Sequence, residues 1–251
     1  MQENSPPALR STLEEVQTPD RPSQDIEDFI YLISHDVRSS VRALLELPQW
    51  IAEDLEEAGF KVDGQVASSI DLMNRHTGRL DRMLVDLLTF SRVGRMQTVC
   101  AIDLNAALDD VMEEVKMPAG FTLTRELEWT QLVIGDRDIL TLLNALIANA
   151  IKHHDKPSGR IVVASHRIGS EVIISVCDDG PGIQEEFHER IFGPMTTLSP
   201  RDEVEGSGMG LANVRKIATL YGGTAAVRAS PNGAGTNIEV RLVQENPIPS
   251  I

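Results

Sequence analysis

Between Ile26 and Ser91 mostly apolar residues recur in steps of four and three, in two runs of similar length. Ile26, Ile30, Ile33, Val37, Val41, Leu44, Ile51 and Leu55 make the first run, with Pro48 in its one gap; Val66, Ile70, Met73, Thr77, Leu80, Leu84, Leu87 and Ser91 make the second. That spacing keeps one stripe of a helix turned toward a partner. The break falls at Glu57-Ala58-Gly59 and Asp63-Gly64, which carry turn chemistry, so two helices of similar length are expected to fold back antiparallel as a hairpin. Two helices cannot cover both flanks of their stripes, so the hairpin is expected to pair with a second copy as a homodimeric four-helix bundle. Pro48 removes a backbone donor and is expected to kink the first helix.

Inside the first helix, in FIYLISHDVRSSVR, His35 stands beside Asp36. His35 lies two residues past Ile33, off the stripe, so its ring is expected to face solvent. Taken alone, the stretch fits a solvated surface histidine next to a surface aspartate equally well.

The chain of 251 residues is long enough for two small domains, and its 41% hydrophobic content is that of a globular protein. A formal charge of -15 and a pI near 4.8 argue against a general affinity for nucleic acid or an anionic membrane surface, leaving room only for a local basic patch. Cys100 and Cys177 lie far apart without metal-ligand spacing and are expected to be buried free thiols in a reducing compartment. No basic and apolar leader and no run of about 18 apolar residues occurs, so no membrane span and a cytoplasmic location are expected.

Three regions follow from this reading. Residues 1–23, rich in Pro, Ser and acid, are expected to be disordered. Residues 24–95 form the hairpin. Arg92 to Ala101 loses the repeat and carries Gly94, and residues 102–245 turn to an α/β texture. In that region helices are expected at Leu104–Val115, Arg137–His153 and Gly210–Tyr221. Strands are expected at Phe121–Leu127, Gln131–Ile134, Gly159–His166, Glu171–Cys177, Thr224–Ser230 and Thr236–Val243.

Three stretches of this second region carry chemistry. In NALIANAIKHH, Asn149, Lys152 and His153 share a helix face, and a carboxamide beside an ammonium suits Mg²⁺ and a polyphosphate. In CDDGPGI, a strand delivers Asp178 to a loop whose Gly180 and Gly182 allow close ligand approach; the carboxylate can accept from an exocyclic amine. In GSGMGLANVRKI, Gly206, Gly208 and Gly210 lead into a helix whose first N–H groups favour an anion. Between the last two runs EEFHERIFGPMTTLSPRDEVE, longer than an ordinary connection and expected to act as a lid. Each stretch alone has an ordinary structural explanation; their order behind a Ser-His-Asp hairpin does not.

With these motifs the chain resembles two-component sensor histidine kinases of the HisKA type over roughly Gln24 to Val243, and SPRDEVEGSGMGLANVRKI is most similar to phytochrome-related kinases. The resemblance implies a dimerisation and phosphoacceptor hairpin followed by an ATP-binding α/β two-layer sandwich of the GHKL (Bergerat) class. It implies that His35 is the phosphoacceptor and that Asp36 orients or deprotonates it. Asn149 would hold Mg²⁺, Lys152 would contact phosphate, Asp178 would read the adenine amine, and Gly180 and Gly182 would line the base pocket. Gly206, Gly208 and Gly210 would border the phosphates of ATP, with Arg201 of the lid a further phosphate contact and His153 a nucleotide neighbour. The implied activity is ATP-dependent autophosphorylation of His35 and transfer to an aspartate of a response-regulator receiver domain, with input from a separate sensor or activator protein. A phosphotransfer or docking protein with a non-catalytic nucleotide domain, and a GHKL serine kinase or ATPase, are the alternatives.

The chain departs from the family pattern at several places. Ser40 stands where Pro is frequent, Ala145 replaces the first Asn of the helix motif, His153 replaces Tyr or Phe, and Met195 replaces a lid Phe. Altered nucleotide affinity is the expected consequence. Ser39, at a position where Thr or Asn supports dephosphorylation, leaves phosphatase activity open. His76, His154, His166 and His188 are expected to be structural.

Overall fold

The protein's structure, a computed structural model, describes residues 21–95, 97–198, 206–231 and 233–244, and for residues 21–29 and His35 the backbone alone. The expected N-terminal disorder, apart from residues 21–23, and the role of Arg201 lie outside the described residues.

The doubled repeat folds as α1 (Arg21–Glu57) and α2 (Gly64–Arg92), an antiparallel hairpin closed by bonds from Gly59 and Phe60 N–H to the Glu56 and Leu55 carbonyls. Helix α1 runs through Pro48 without interruption. Its stripe divides in two. Ser34, Val41 and Pro48, seven residues apart, are buried, whereas Ile33, Val37, Leu44, Leu47 and Ile51 stay exposed beside them. Arg38 Nε meets Asp81 Oδ1 at 3.4 Å, and the Arg92 guanidinium lies 5.4 Å from the Tyr31 ring centre, which sets the register of the two helices.

The chain after α2 is not a loose linker. Val99–Asp103 forms β1, which pairs antiparallel with β3 (Gln131–Gly135) and hands over to α3 (Leu104–Glu114). Asp103 caps that helix, its Oδ1 accepting from the N–H groups of Asn105 and Ala106. Strand β1 is short, exposed at its first three residues and held through main-chain pairing, so it has little apolar signature. Cys100 sits on it exposed, not buried as expected; Cys177 is buried, and both are free thiols.

The remaining elements are β2 (Phe121–Leu127), α4 (Asp136–Lys152), β4 (Gly159–Ile168), β5 (Glu171–Asp178), α5 (Gly210–Leu220), β6 (Thr224–Arg228) and β7 (Asn237–Val243). They build a five-stranded mixed sheet of order β2-β4-β5-β7-β6, parallel only between β2 and β4. Alternate residues Ile161 and Val163 of β4 and Val172, Ile174 and Val176 of β5 point to one face, where they meet Leu142, Leu143, Leu146 and Ile147 of α4 and Val214 and Ile217 of α5. The other face carries an ion-pair ladder of Glu171, Arg241, Glu239 and Arg228. This is a two-layer α/β sandwich.

The run expected to be a lid is half anchored. Two 3₁₀ turns, Glu185–Phe187 and Arg190–Phe192, place Ile191 and Phe192 in the core, and Arg215 of α5 fastens them through Glu189 Oε2 at 2.7 Å and the face of Phe192.

Candidate nucleotide site

Helix α4 starts from Gly135 with Asp136 and Asp138 in its first turn, where carboxylates suit the helix dipole, and buries its apolar stripe. Burial of that stripe turns Asn149, Lys152 and His153 toward a cavity of ≈ 360 Å³. Strand β5 brings Asp178 to the opposite wall, followed by Pro181 and Gly182; the third wall is Thr196, Thr197, Leu198 and the stretch from Gly206 to Leu211. Seven of the expected site residues thus line one cavity with Asp178: Asn149, Lys152, His153, Gly182, Gly206, Gly208 and Gly210.

Gly180 does not line it. Its N–H donates to Asp178 Oδ1 at 2.9 Å, as does Thr236 N–H at 2.9 Å. Both donors use one carboxylate oxygen, and among the described residues none bonds the other. Burial pushes the Asp178 carboxyl above its ordinary value, with the two amides and His154 pulling the other way. An anionic acceptor held by backbone amides at a strand end can take a proton-bearing nitrogen from a planar base.

At the other end the cavity is built for negative charge. A Cβ on Gly206 would collide with Lys152 Nζ, so the absent side chain is what lets the ammonium reach across to the glycine stretch. Gly208 has φ +76, and a Cβ there would lie 2.8 Å from the Thr196 backbone C and N atoms. Helix α5 begins at Gly210 without a side-chain cap, leaving its first N–H groups toward the cavity. Ala145 is 3.7 Å from where a Gly210 Cβ would be, so two small residues let α4 and α5 approach. Partial burial and then the Lys152 ammonium lower the pKa of the His153 ring below its ordinary value. These donors and the free acceptor fit a nucleoside polyphosphate. A Mg²⁺ ion would take Asn149 as its protein oxygen ligand; among the described residues no cluster of His, Cys, Asp and Glu could hold a metal by itself.

Residues outside the three motifs also contribute. Asp86 of α2 lines the cavity, so the hairpin itself forms part of the rim. Thr236 lines it as well. The only sequence signal for Thr236 was the glycine-rich turn before it, and for Asp86 there was none.

The hairpin is docked by polar contacts. Lys216 of α5 donates to the Phe90 carbonyl at 2.8 Å and lies 4.5 Å from the Phe90 ring centre. The Arg38–Asp81 and Tyr31–Arg92 contacts bracket His35, so its backbone lies level with the part of α2 that carries Asp86. The His35 side chain is outside the described residues. Asp36, next to it, is exposed.

Residues 135–246 match the family described as histidine kinase-, DNA gyrase B-, and HSP90-like ATPase. The chain is 29% identical over 220 residues to the methanogenesis regulatory histidine kinase FilI of Methanothrix harundinacea, an alignment covering 84% of the chain and 24% of that protein. It is 30% identical over 216 residues to the adaptive-response sensory kinase SasA of Rippkaea orientalis, covering 80% and 54%. The chain spans 24%, 27% and 29% of the length of FilI, cyanobacterial phytochrome A and the phytochrome-like protein Cph1. Among solved structures, full-length ShkA in complex with AMPPNP shares the fold with a TM-score of 0.63 at 21% identity, covering 88% of this chain and 47% of that one. The Acinetobacter baumannii histidine kinase AdeS does so with a TM-score of 0.56 at 22% identity, covering 82% and 98%. Residues 135–246 thus carry a histidine kinase-, DNA gyrase B-, and HSP90-like ATPase domain, and over most of its length the chain is similar to two-component histidine kinases.

Proposed function

We propose that the chain is an ATP-dependent protein-histidine kinase that phosphorylates its own His35 and passes the phosphoryl group to an aspartate of a response-regulator receiver domain. The observation that carries this reading is the convergence of Asn149, Lys152, Asp178 and the three glycines Gly206, Gly208 and Gly210 on one cavity whose rim includes the hairpin at the level of His35. Asp178 accepts from the base amine, and Lys152 and the first N–H groups of α5 hold the phosphates. Bound Mg²⁺, on Asn149, supplies charge neutralisation at the transferring group. A neutral His35 ring nitrogen forms the bond to the γ-phosphorus as its bond to the ADP oxygen breaks, and the ring proton leaves to Asp36 or solvent. Arg201 contributes a further cation.

The receiver domain is the partner, and a second copy completes the bundle, covering Ile33, Val37, Leu44 and Ile51. Among the described residues no helix is long and apolar enough to cross a membrane, and a separate sensor or activator fits as the source of input.

The test is incubation with γ-labelled ATP and Mg²⁺ beside His35→Ala and Asn149→Ala. Acid-labile, base-stable label on the wild type and on neither variant is expected. Label on His35→Ala would displace His35 as the acceptor, and absence of both label and nucleotide binding would favour a docking protein.

A further inference from the structure

His154, one residue beyond the cap of α4, is not in the cavity, yet it touches both of the walls that make it. Its side chain is 1% exposed. Nδ1 accepts from Lys156 N–H at 3.1 Å, which puts the ring proton on Nε2, and Nε2 donates to Asp179 Oδ1 at 3.1 Å. Asp155 Oδ1, 3.6 Å from Nδ1, is beyond hydrogen-bond range. The ring stands edge-on to Phe121, with 5.2 Å between centres and 84° between planes. Its Nε2 is 2.7 Å from where a Gly159 Cβ would sit, so that glycine admits the ring, while a Gly180 Cβ would lie 3.0 Å from Asp178 Oδ1 and 3.3 Å from the His154 Cδ2.

Asp178 and Asp179 leave the end of β5 in opposite directions. Asp178 turns to the cavity; Asp179 turns away, where Oδ1 accepts from Arg160 N–H at 2.7 Å as well as from His154. That first amide bond is the main reason the Asp179 carboxyl lies below the usual range. The single His154–Asp179 bond therefore joins the C-terminal turn of α4, which carries Asn149, Lys152 and His153, to the loop that carries Asp178 and Gly182.

We propose that His154 is a positioning residue that sets the distance between the base-reading wall and the phosphate wall of the cavity. This rests on the reading of the cavity as a nucleotide site. A ligand that spans both walls needs that distance, and a ligand that engages the base wall alone does not. A residue that merely fills the core would weaken both alike.

The experiment measures affinity for ATP with Mg²⁺, and for adenosine by competition with a fluorescent nucleotide, in the wild type, His154→Ala, His154→Gln, His154→Asn and Asp179→Ala. Gln keeps a donor at the reach of Nε2; Asn keeps an acceptor for Lys156 N–H but is too short for Asp179. His154→Ala, His154→Asn and Asp179→Ala are expected to weaken ATP on the order of tenfold and adenosine by less than about threefold, with His154→Gln within about threefold of wild type for both. If His154→Ala fails to fold, the Gln and Asn variants compared by thermal unfolding and affinity carry the test. Equal losses for ATP and adenosine, wild-type ATP affinity in His154→Ala, or Gln no better than Asn would overturn the proposal. A wild type that binds neither ligand would overturn the nucleotide site itself, a distinct result.

Discussion

The Tyr221 hydroxyl donates to Asp138 Oδ2 at 2.9 Å and accepts from Gly135 N–H at 2.8 Å, tying the end of α5 to the start of α4. Asp138 is only 2% exposed. Its other bonds come from the segment that leaves the hairpin: Gly94 N–H to Oδ1 at 3.1 Å and Gln97 Nε2 to Oδ2 at 2.6 Å, with Gln97 Oε1 accepting Asp138 N–H at 3.1 Å in return. A buried carboxylate is tolerated only when its lone pairs are met, so this group makes docking of the hairpin exit an all-or-nothing arrangement.

Removing the phenol leaves Gly135 N–H and one Asp138 lone pair without a partner. Tyr221→Phe is expected to destabilise by about 1–2 kcal/mol and Asp138→Ala by about 3 kcal/mol in chemical denaturation. Burial, then Asp138, pushes the Tyr221 hydroxyl up to about 12. Because the folded pKa lies above the unfolded value of 10.0, stability is intact below pH 10 and falls as the unfolded state ionises between 10 and about 12. Denaturation midpoints across that window are expected to drop in the wild type and to drop less in Tyr221→Phe; parallel declines would refute the assignment.

Asp178 has to be ionised to accept from a base amine, and burial raises its pKa. ATP affinity is therefore expected to begin falling, on lowering the pH from 7, before an ordinary carboxylate would titrate. Asp178→Ala is expected to lose on the order of a hundredfold in affinity, since a hydrogen bond to a charged group disappears from a desolvated site. Titration calorimetry between pH 7 and 5 checks both statements. A flat profile would show that the carboxylate is not the acceptor.

Gly208 and Gly210, two residues apart in one motif, are expected to respond in opposite ways to alanine. At Gly208 the positive φ and the Thr196 backbone both oppose a Cβ, so Gly208→Ala is expected to cost about 1–2 kcal/mol or more and to reduce nucleotide binding. At Gly210 the nearest atom to a Cβ is Ala145 Cβ at 3.7 Å, an ordinary contact at the start of a helix. Gly210→Ala is expected to keep its melting temperature. Thermal unfolding of the two variants separates backbone requirement from mere smallness.

Much of this arrangement is legible in the sequence because it is periodic or glycine-marked. The four-three steps predicted α1 and α2, and the Asp-x-Gly-x-Gly and Gly-x-Gly-x-Gly spacings predicted backbone near a ligand. What escaped has no local signature. Strand β1 is held by main-chain pairing to β3, which any side chains permit. The role of His154 is not legible because its partner, Asp179, is distant in sequence. The lid's anchor, Ile191 and Phe192, is two apolar residues among charged ones, too short a run to mark an element. The helical stripe was read as a single seam, whereas a helix packed between two neighbours needs two adjacent ones.

That second seam supplies the last prediction. Leu44 is 44% exposed in the single chain, in line with Ile33, Val37, Leu47 and Ile51, while Val41 beside it is buried against the hairpin partner. An apolar row of this length on one helix face is the surface a four-helix bundle of two hairpins would close. The wild type is expected to elute as a dimer at micromolar concentration in light scattering, and Leu44→Asp as a monomer, because a two-fold interface would bury the new carboxylate twice without a counter-charge. The same variant is expected to keep its helical content and its ATP affinity, since Leu44 contributes to neither the hairpin core nor the cavity. A wild type that is monomeric, or an aspartate variant that stays dimeric, would show that this row serves another contact and that the bundle closes along a different face.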